Sequence, residues 1–184
     1  RKEHGVQGRV TADGPEPEPV ARPSAPDAGF AVTYRFRAEA DALSGLELAV
    51  EQPWLYRVEV NGREVKFADE ARWFDEGIRK AAIGKLAHEG ENVVTLVAPE
   101  FSRLTEIAPV YVLGNFAVRT ASPGFVIGAA EALGMGDWLT QGLLFYPWGV
   151  RYTMPFSLRA GAAGLTLSVP EWQGSAMRVL VDGE

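Results

Sequence analysis

Two stretches of this chain, about 120 residues apart, read as copies of one unit. The first runs Val32-Thr33-Tyr34-Arg35-Phe36, then Ser44-Gly45-Leu46-Glu47-Leu48-Ala49-Val50, then Tyr56-Arg57-Val58-Glu59-Val60-Asn61-Gly62. The second runs Val150-Arg151-Tyr152-Thr153-Met154, then Ala163-Gly164-Leu165-Thr166-Leu167-Ser168-Val169, then Met177-Arg178-Val179-Leu180-Val181-Asp182-Gly183. Each copy is three alternating segments in the same order, closed by Asn-Gly or Asp-Gly. A repeat defines the structural unit, and here that unit is a set of short strands joined by turns.

The alternation is specific. Tyr34, Phe36 and Ala38 alternate with Arg35, Arg37 and Glu39, and Leu46, Leu48 and Val50 alternate with Glu47, Ala49 and Glu51. A period of two with one charged face marks a half-buried antiparallel strand. Tyr56, Val58 and Val60 continue the pattern into Asn61-Gly62, a dipeptide that accepts positive φ and turns the chain into Glu64-Val65-Lys66-Phe67. Asn92 to Val97 and Val110 to Val118 read as further strands. Gly114 interrupts the second, which predicts a bulge or a close backbone approach.

One helix is expected, over 76–89, where Ile78, Ala82, Ile83 and Leu86 share a face; Gly84 weakens it and Gly90 closes it. Residues 120–149 are rich in glycine and aromatics and read as long loops around a short helical turn at Ala129–Leu133. Many short strands with turns every eight to twelve residues or so and almost no helix indicate an all-β fold, an antiparallel β-sandwich of jelly-roll type. The organisation that follows is a Pro-rich linker or extended segment over 1–29, a sandwich over 30–119 and connecting loops over 120–149. Residues 150–184 are either strands of a second, truncated repeat or strands that complete the first sandwich. The chain reads as a piece of a longer protein.

Composition removes several classes. Of 184 residues, 47% are hydrophobic and 23% charged, enough apolar material for one good core or two small ones. The net charge of −6 and the absence of a basic stripe argue against a nucleic-acid partner. No apolar run approaches the roughly 18–20 residues that span a bilayer as a helix, so no membrane partner is expected. There is no cysteine, which excludes disulfides and thiolate zinc sites.

Some motifs together resemble a known domain type. They are Val58-Glu59-Val60-Asn61-Gly62, Trp73-Phe74-Asp75, Ile83 with Leu86, and Gly90-Glu91-Asn92-Val93-Val94-Thr95-Leu96. Val110 to Val118 and Gly136-Asp137-Trp138-Leu139-Thr140-Gln141-Gly142-Leu143-Leu144-Phe145-Tyr146 extend the set. The ordered series resembles the galactose-binding-like β-sandwiches attached to large glycoside hydrolases. It is similar to the sugar-binding-type domain of family 2 enzymes, and more closely to the accessory sandwiches of family 106-like α-L-rhamnosidases. The last motif departs from the pattern: Leu144 stands where a proline is usual, and Pro147-Trp148 where Ser-Gly is usual.

The resemblance implies a non-catalytic accessory domain whose partner is the catalytic domain of the same polypeptide, with carbohydrate as a further ligand. No cofactor is expected, although such sandwiches often hold a structural calcium ion. A polysaccharide-degrading parent implies export, to the periplasm or outside the cell. The alternative is an adhesion or scaffold sandwich without sugar binding.

Catalysis by this segment would need two carboxylates flanking a glycosidic bond. Glu39, Glu47, Glu51, Glu59 and Glu64 read as the solvated faces of strands, which leaves Asp75, Glu76 and Glu106 without an evident pair. His4 and His88, the two histidines, give neither a metal pair nor a triad.

The aromatics are the more informative set. Trp54, Trp73, Phe74, Trp138, Phe145, Tyr146, Trp148 and Trp172 fall in expected loops or at strand ends. Indole and phenol rings stack on the C–H face of a sugar. Trp73, Trp138, Tyr146 and Trp148 are therefore the candidate platform, with Asp75 and Asp137, and beside them Arg72 and Gln141, as hydrogen-bonding partners.

Overall fold

The computed structural model describes residues 28–169 and 171–183. The Pro-rich segment expected over 1–29 lies almost entirely outside the described residues, as does His4.

Alternation becomes strand wherever a partner exists. In order along the chain, β1 is Phe30–Ala38, β2 Glu47–Glu51, β3 Arg57–Val60, β4 Arg63–Glu64 and β5 Arg72–Trp73. Then come β6 Asp75–Ala82, β7 Gly90–Ala98, β8 Tyr111–Leu113, β9 Phe116–Thr120 and β10 Phe125–Ala129. They build a six-stranded sheet, β4-β3-β7-β1-β10-β9, and a four-stranded sheet, β5-β6-β2-β8. All pairs are antiparallel except β1 with β10, so the fold is the expected all-β sandwich.

Leu48 and Val50 from the smaller sheet meet Val58, Val60, Val94, Leu96 and Ile127 from the larger one in a single core. Each such side chain, fully buried, contributes about 1.5–3 kcal/mol.

β7 organises the larger sheet. It pairs with β1 over nine residues, from Phe30 opposite Ala98 to Ala38 opposite Gly90, and with β3 on its other side. Asn61 and Gly62 supply the β3–β4 turn with φ of 51° and 75°, as the sequence indicates.

A second tie fixes this corner. Asn92, fully buried at the start of β7, accepts from Asn61 Nδ2 (2.8 Å) and from the His88 amide (2.9 Å). It donates to the carbonyls of His88 (2.8 Å) and Gly90 (3.1 Å). Asn61 in turn donates to Leu86 O and accepts from the Val93 amide. Both amides are fully engaged, as burial of a polar group demands.

Several expectations fail for identifiable reasons. No α-helix forms over 76–89. Asp75–Ala82 is a strand, paired with β2 from Glu47 opposite Ala82 to Glu51 opposite Ile78. The spacing of Ile78, Ala82, Ile83 and Leu86 fits a helix, but Ile83 and Leu86 reach the core from the loop beyond the strand. There Gly84 passes so near Leu43 O that a Cβ would sit 2.6 Å from it.

The Ala129–Leu133 helical turn is likewise absent, because Ala129 ends β10. That strand lies within the stretch expected to be loop. Val110 to Val118 is not one strand but two, in different sheets, with Gly114 packed against the Leu46 and Phe116 side chains. The close approach expected at Gly114 is therefore present.

Residues 148–183 form a separate compact unit. No strand occurs among its described residues, although three alternating segments are expected there. An isolated strand leaves its N–H and C=O groups unpaired, so alternation alone does not produce one.

Tyr34 adds a pH dependence. Its hydroxyl donates to Ala108 O (2.6 Å), while Tyr56 Oη exchanges hydrogen bonds with the Glu106 backbone. Burial, and secondarily the Tyr56 phenol, raises the Tyr34 pKa above its ordinary 10.0. The folded state thus holds this proton more tightly than the unfolded chain. The resulting stability is complete below pH 10 and is lost as pH rises beyond it.

Two outcomes follow. Urea unfolding at pH 9 and 11 should show a loss of stability that is smaller in Tyr34→Phe. At pH 7, Asn92→Ala should cost about 3 kcal/mol, because it orphans several buried backbone and amide groups.

Candidate functional site

The outer face of the four-stranded sheet carries a group of three aromatic rings that includes Trp73. Its geometry starts at Ala49. Leu48 and Val50 point into the core, so Ala49 points outward, and yet it is fully buried. Its cross-strand neighbours are Lys80 on β6 and Tyr111 on β8.

Trp73 lies on β5, at the opposite edge from Tyr111. Two strands, each about 4.8 Å across, separate those edges. The Trp73 and Tyr111 ring centroids are nonetheless only 5.4 Å apart. Both side chains must therefore lean inward over β6 and β2, into the space that the small Ala49 leaves.

Phe74 joins them, with its ring 6.1 Å from that of Trp73 and 78% of its surface exposed. It sits where the chain turns from β5 into β6, at φ 66°. The left-handed region costs a non-glycine residue about 1–2 kcal/mol. The turn is held by Asp75, whose Oδ1 accepts from the amides of Gly77 (2.6 Å) and Ile78 (3.1 Å), and by a register shift between Arg72 and Trp73. Asp75 thus projects Phe74 outward.

The polar groups beside the rings are paired: Lys80 with Glu47 at 2.8 Å on the same face, each half-buried, and Arg72 with Glu76 at 3.2 Å at the exposed β5–β6 edge. Rings flanked by charged donors and acceptors can stack on an apolar face and bond a polar edge.

The other expected site residues lie elsewhere. Asp137, Trp138 and Tyr146 belong to the loops that follow β10, beside the β9 edge of the larger sheet, where Gly142 O accepts from the Val118 amide (2.7 Å). Asp137 Oδ1 accepts from the Leu139 amide, and its carbonyl accepts from Thr140 Oγ1 and Gln141 Nε2. Gln141 Oε1 accepts from the Gly134 amide. Asp137 Oδ1 and the Gln141 side-chain amide thus shape their own loop.

Between that loop and β9 is an open cleft of about 490 Å³. Arg119 lines it, bridging Glu39 (2.9 Å) and Glu131 (3.3 Å). Trp148 belongs to the separate unit 148–183. The structure therefore joins Trp73 with Asp75, and Asp137 with Trp138 in another loop, but does not gather all six on one element.

Residues that the sequence did not single out complete both places. Tyr111 and Ala49 make the aromatic surface, and Arg119 makes the cleft. Tyr111 was hidden as one ring within an apparently continuous strand.

Arg79 is a further surprise. It pairs with Val50 and so faces inward, 5.4 Å over the Trp54 ring, with Nε buried and without an acceptor among the described residues. It lines a small pocket of about 140 Å³ with Trp54, Tyr56, Glu64 and Lys66.

Of the acids with catalytic potential, Asp75 holds its turn, Glu76 pairs with Arg72, and Glu106 is joined to Tyr56 through its backbone. Among the described residues, no group of three or more His, Asp or Glu gathers to hold a metal ion. No family model, no curated protein and no solved structure matches this chain.

If the Phe74 turn is maintained for what the ring contacts, its removal should be harmless to the fold. Phe74→Asn, a residue that accepts positive φ, should change unfolding free energy by no more than about 1 kcal/mol. A loss well beyond that in urea denaturation would make Phe74 a packing residue instead.

Proposed function

We propose that this chain is a non-catalytic accessory β-sandwich of a larger glycoside hydrolase. It packs beside the catalytic domain of the same polypeptide and receives a sugar ring on the outer face of its four-stranded sheet. The observation that carries the reading is the convergence of Trp73 and Tyr111 over Ala49 from opposite edges of that sheet, with Phe74 beside them. The ordered motifs that resemble accessory sandwiches of glycoside hydrolases support the wider context.

A pyranose has an apolar face of axial C–H groups, which lies flat on a single aromatic ring, while its equatorial hydroxyls point to the rim. The Trp73 and Tyr111 planes are inclined at 50°, so one ring takes the sugar face and the other borders it. Here the outer face offers Lys80 as a donor and Glu47 as an acceptor, and the Arg72–Glu76 pair stands at the exposed β5–β6 edge. These side chains already pair with one another, so they are oriented before a ligand arrives, which lowers the ordering cost of binding. Charged groups held beside a half-buried surface also bond hydroxyls more strongly than neutral ones do.

The test is an array of oligosaccharides containing rhamnose and galactose, probed with the folded chain and with three variants. Trp73→Ala and Tyr111→Ala should each weaken binding by about tenfold or more, the factor that about 1.4 kcal/mol produces. Trp138→Ala should leave it unchanged. Binding that survives the first two, or that falls equally with the third, would remove the sugar from this face. A blank array would leave only the packing role.

A further inference from the structure

The three segments that repeat in this sequence are β1, β2 and β3 in the first copy, and none of the three pairs with another. β1 lies between β7 and β10, β2 between β6 and β8, and β3 between β7 and β4. Every partner comes from sequence after Gly62, the point at which the repeated portion stops. The repeated portion is therefore three strands of a sandwich whose hydrogen-bonding complement lies in the seven that follow.

The second copy has neither this pairing nor this burial. In the first copy Leu46, Leu48, Val50, Val58 and Val60 are at most 2% exposed. Their counterparts Leu165, Leu167, Val169, Val179 and Val181 are between 40% and 55% exposed. No strand occurs among the described residues of 148–183. Yet the terminal turn is already set. Asp182 and Gly183 have φ of 53° and 95°, and Asn61 and Gly62 have 51° and 75°. Sequence order, alternation and turn geometry agree between the copies, and strand pairing and burial differ.

We propose that residues 150–183 are the first three strands of a second sandwich, and that their apolar face receives a strand-bearing segment of the same polypeptide outside residues 1–184. That segment carries the alternation of β6 to β10. It inserts one strand between the first and third segments, as β7 does, and flanks the middle one on both sides, as β6 and β8 do. A second copy of this chain does not fit, because its own β6, β7 and β8 are already paired. The pairing is β-strand addition: main-chain hydrogen bonds supply affinity, and alternate side chains supply register.

The proposal stands apart from sugar binding, and its test does not involve sugar. Amide hydrogen exchange is compared between the chain 1–184 and the full natural polypeptide. Residues 150–154, 165–169 and 177–181 should exchange about 100-fold more slowly in the full polypeptide. Cross-linking with mass spectrometry should join them to residues outside 1–184. Equal exchange in both proteins overturns the proposal. So does protection accompanied by cross-links to residues 30–129 or to a separate chain, and so does a natural polypeptide that contains no such segment.

Discussion

β7 is the strand on which the larger unit depends, and the buried Asn61–Asn92 pair is what fixes its start. β1 and β3 touch only through β7, so the larger sheet exists only if that strand enters in register. A one-residue slip would turn Val94 and Leu96 out of the core and Val93 and Thr95 into it. Asn92 prevents the slip by being satisfiable in one place, where Asn61, His88 and Gly90 present their complements. Asn61 shapes the β3–β4 turn and also bonds the residue that locks β7. One short turn therefore couples two strands that are about 30 residues apart in sequence.

That frame determines what the outer face can carry. With Leu48 and Val50 committed to the core, Ala49 faces outward at the centre of the smaller sheet, and its small side chain leaves a hollow for rings from both edges. The turn at Phe74 is costly in backbone energy and contributes little burial, since the ring is 78% exposed. Strain at an exposed aromatic is more economical as ligand display than as packing. Arg79 marks the opposite condition on the inward side of the same strand, where a charge is shielded by Trp54 and by backbone carbonyls.

How much of this was legible depends on how local the cause is. β1, β2, β3 and β7 alternate cleanly and end in turn residues, so sequence alone places them. β6 was obscured because Ile78, Ala82, Ile83 and Leu86 satisfy a helical spacing while two of them belong to a loop. β10 was hidden by Gly128 in a glycine-rich stretch. The reason for that glycine is not local: a Cβ there would lie 2.0 Å from Glu39 Oε2 and 2.3 Å from Arg119 Nη1. The residue keeps a path for an ion pair between groups 80 positions apart. The union of Trp73 with Tyr111 was illegible for the same kind of reason, since only sheet order reveals it. In residues 150–183 the alternation is legible, yet no strand occurs among the described residues, and the apolar side chains stay exposed.

The central claim is that Trp73, Phe74 and Tyr111 form one sugar-binding surface. The most direct measurement is an NMR titration of the chain with the oligosaccharide selected on the array, following the indole N–H of Trp73 and the amides around it. The account predicts saturable shifts at Trp73, Phe74, Lys80 and Tyr111, with the loop at Asp137 and Trp138 unmoved. Shifts centred on that loop, or on the Arg119 cleft, with the Trp73 indole silent, would contradict it.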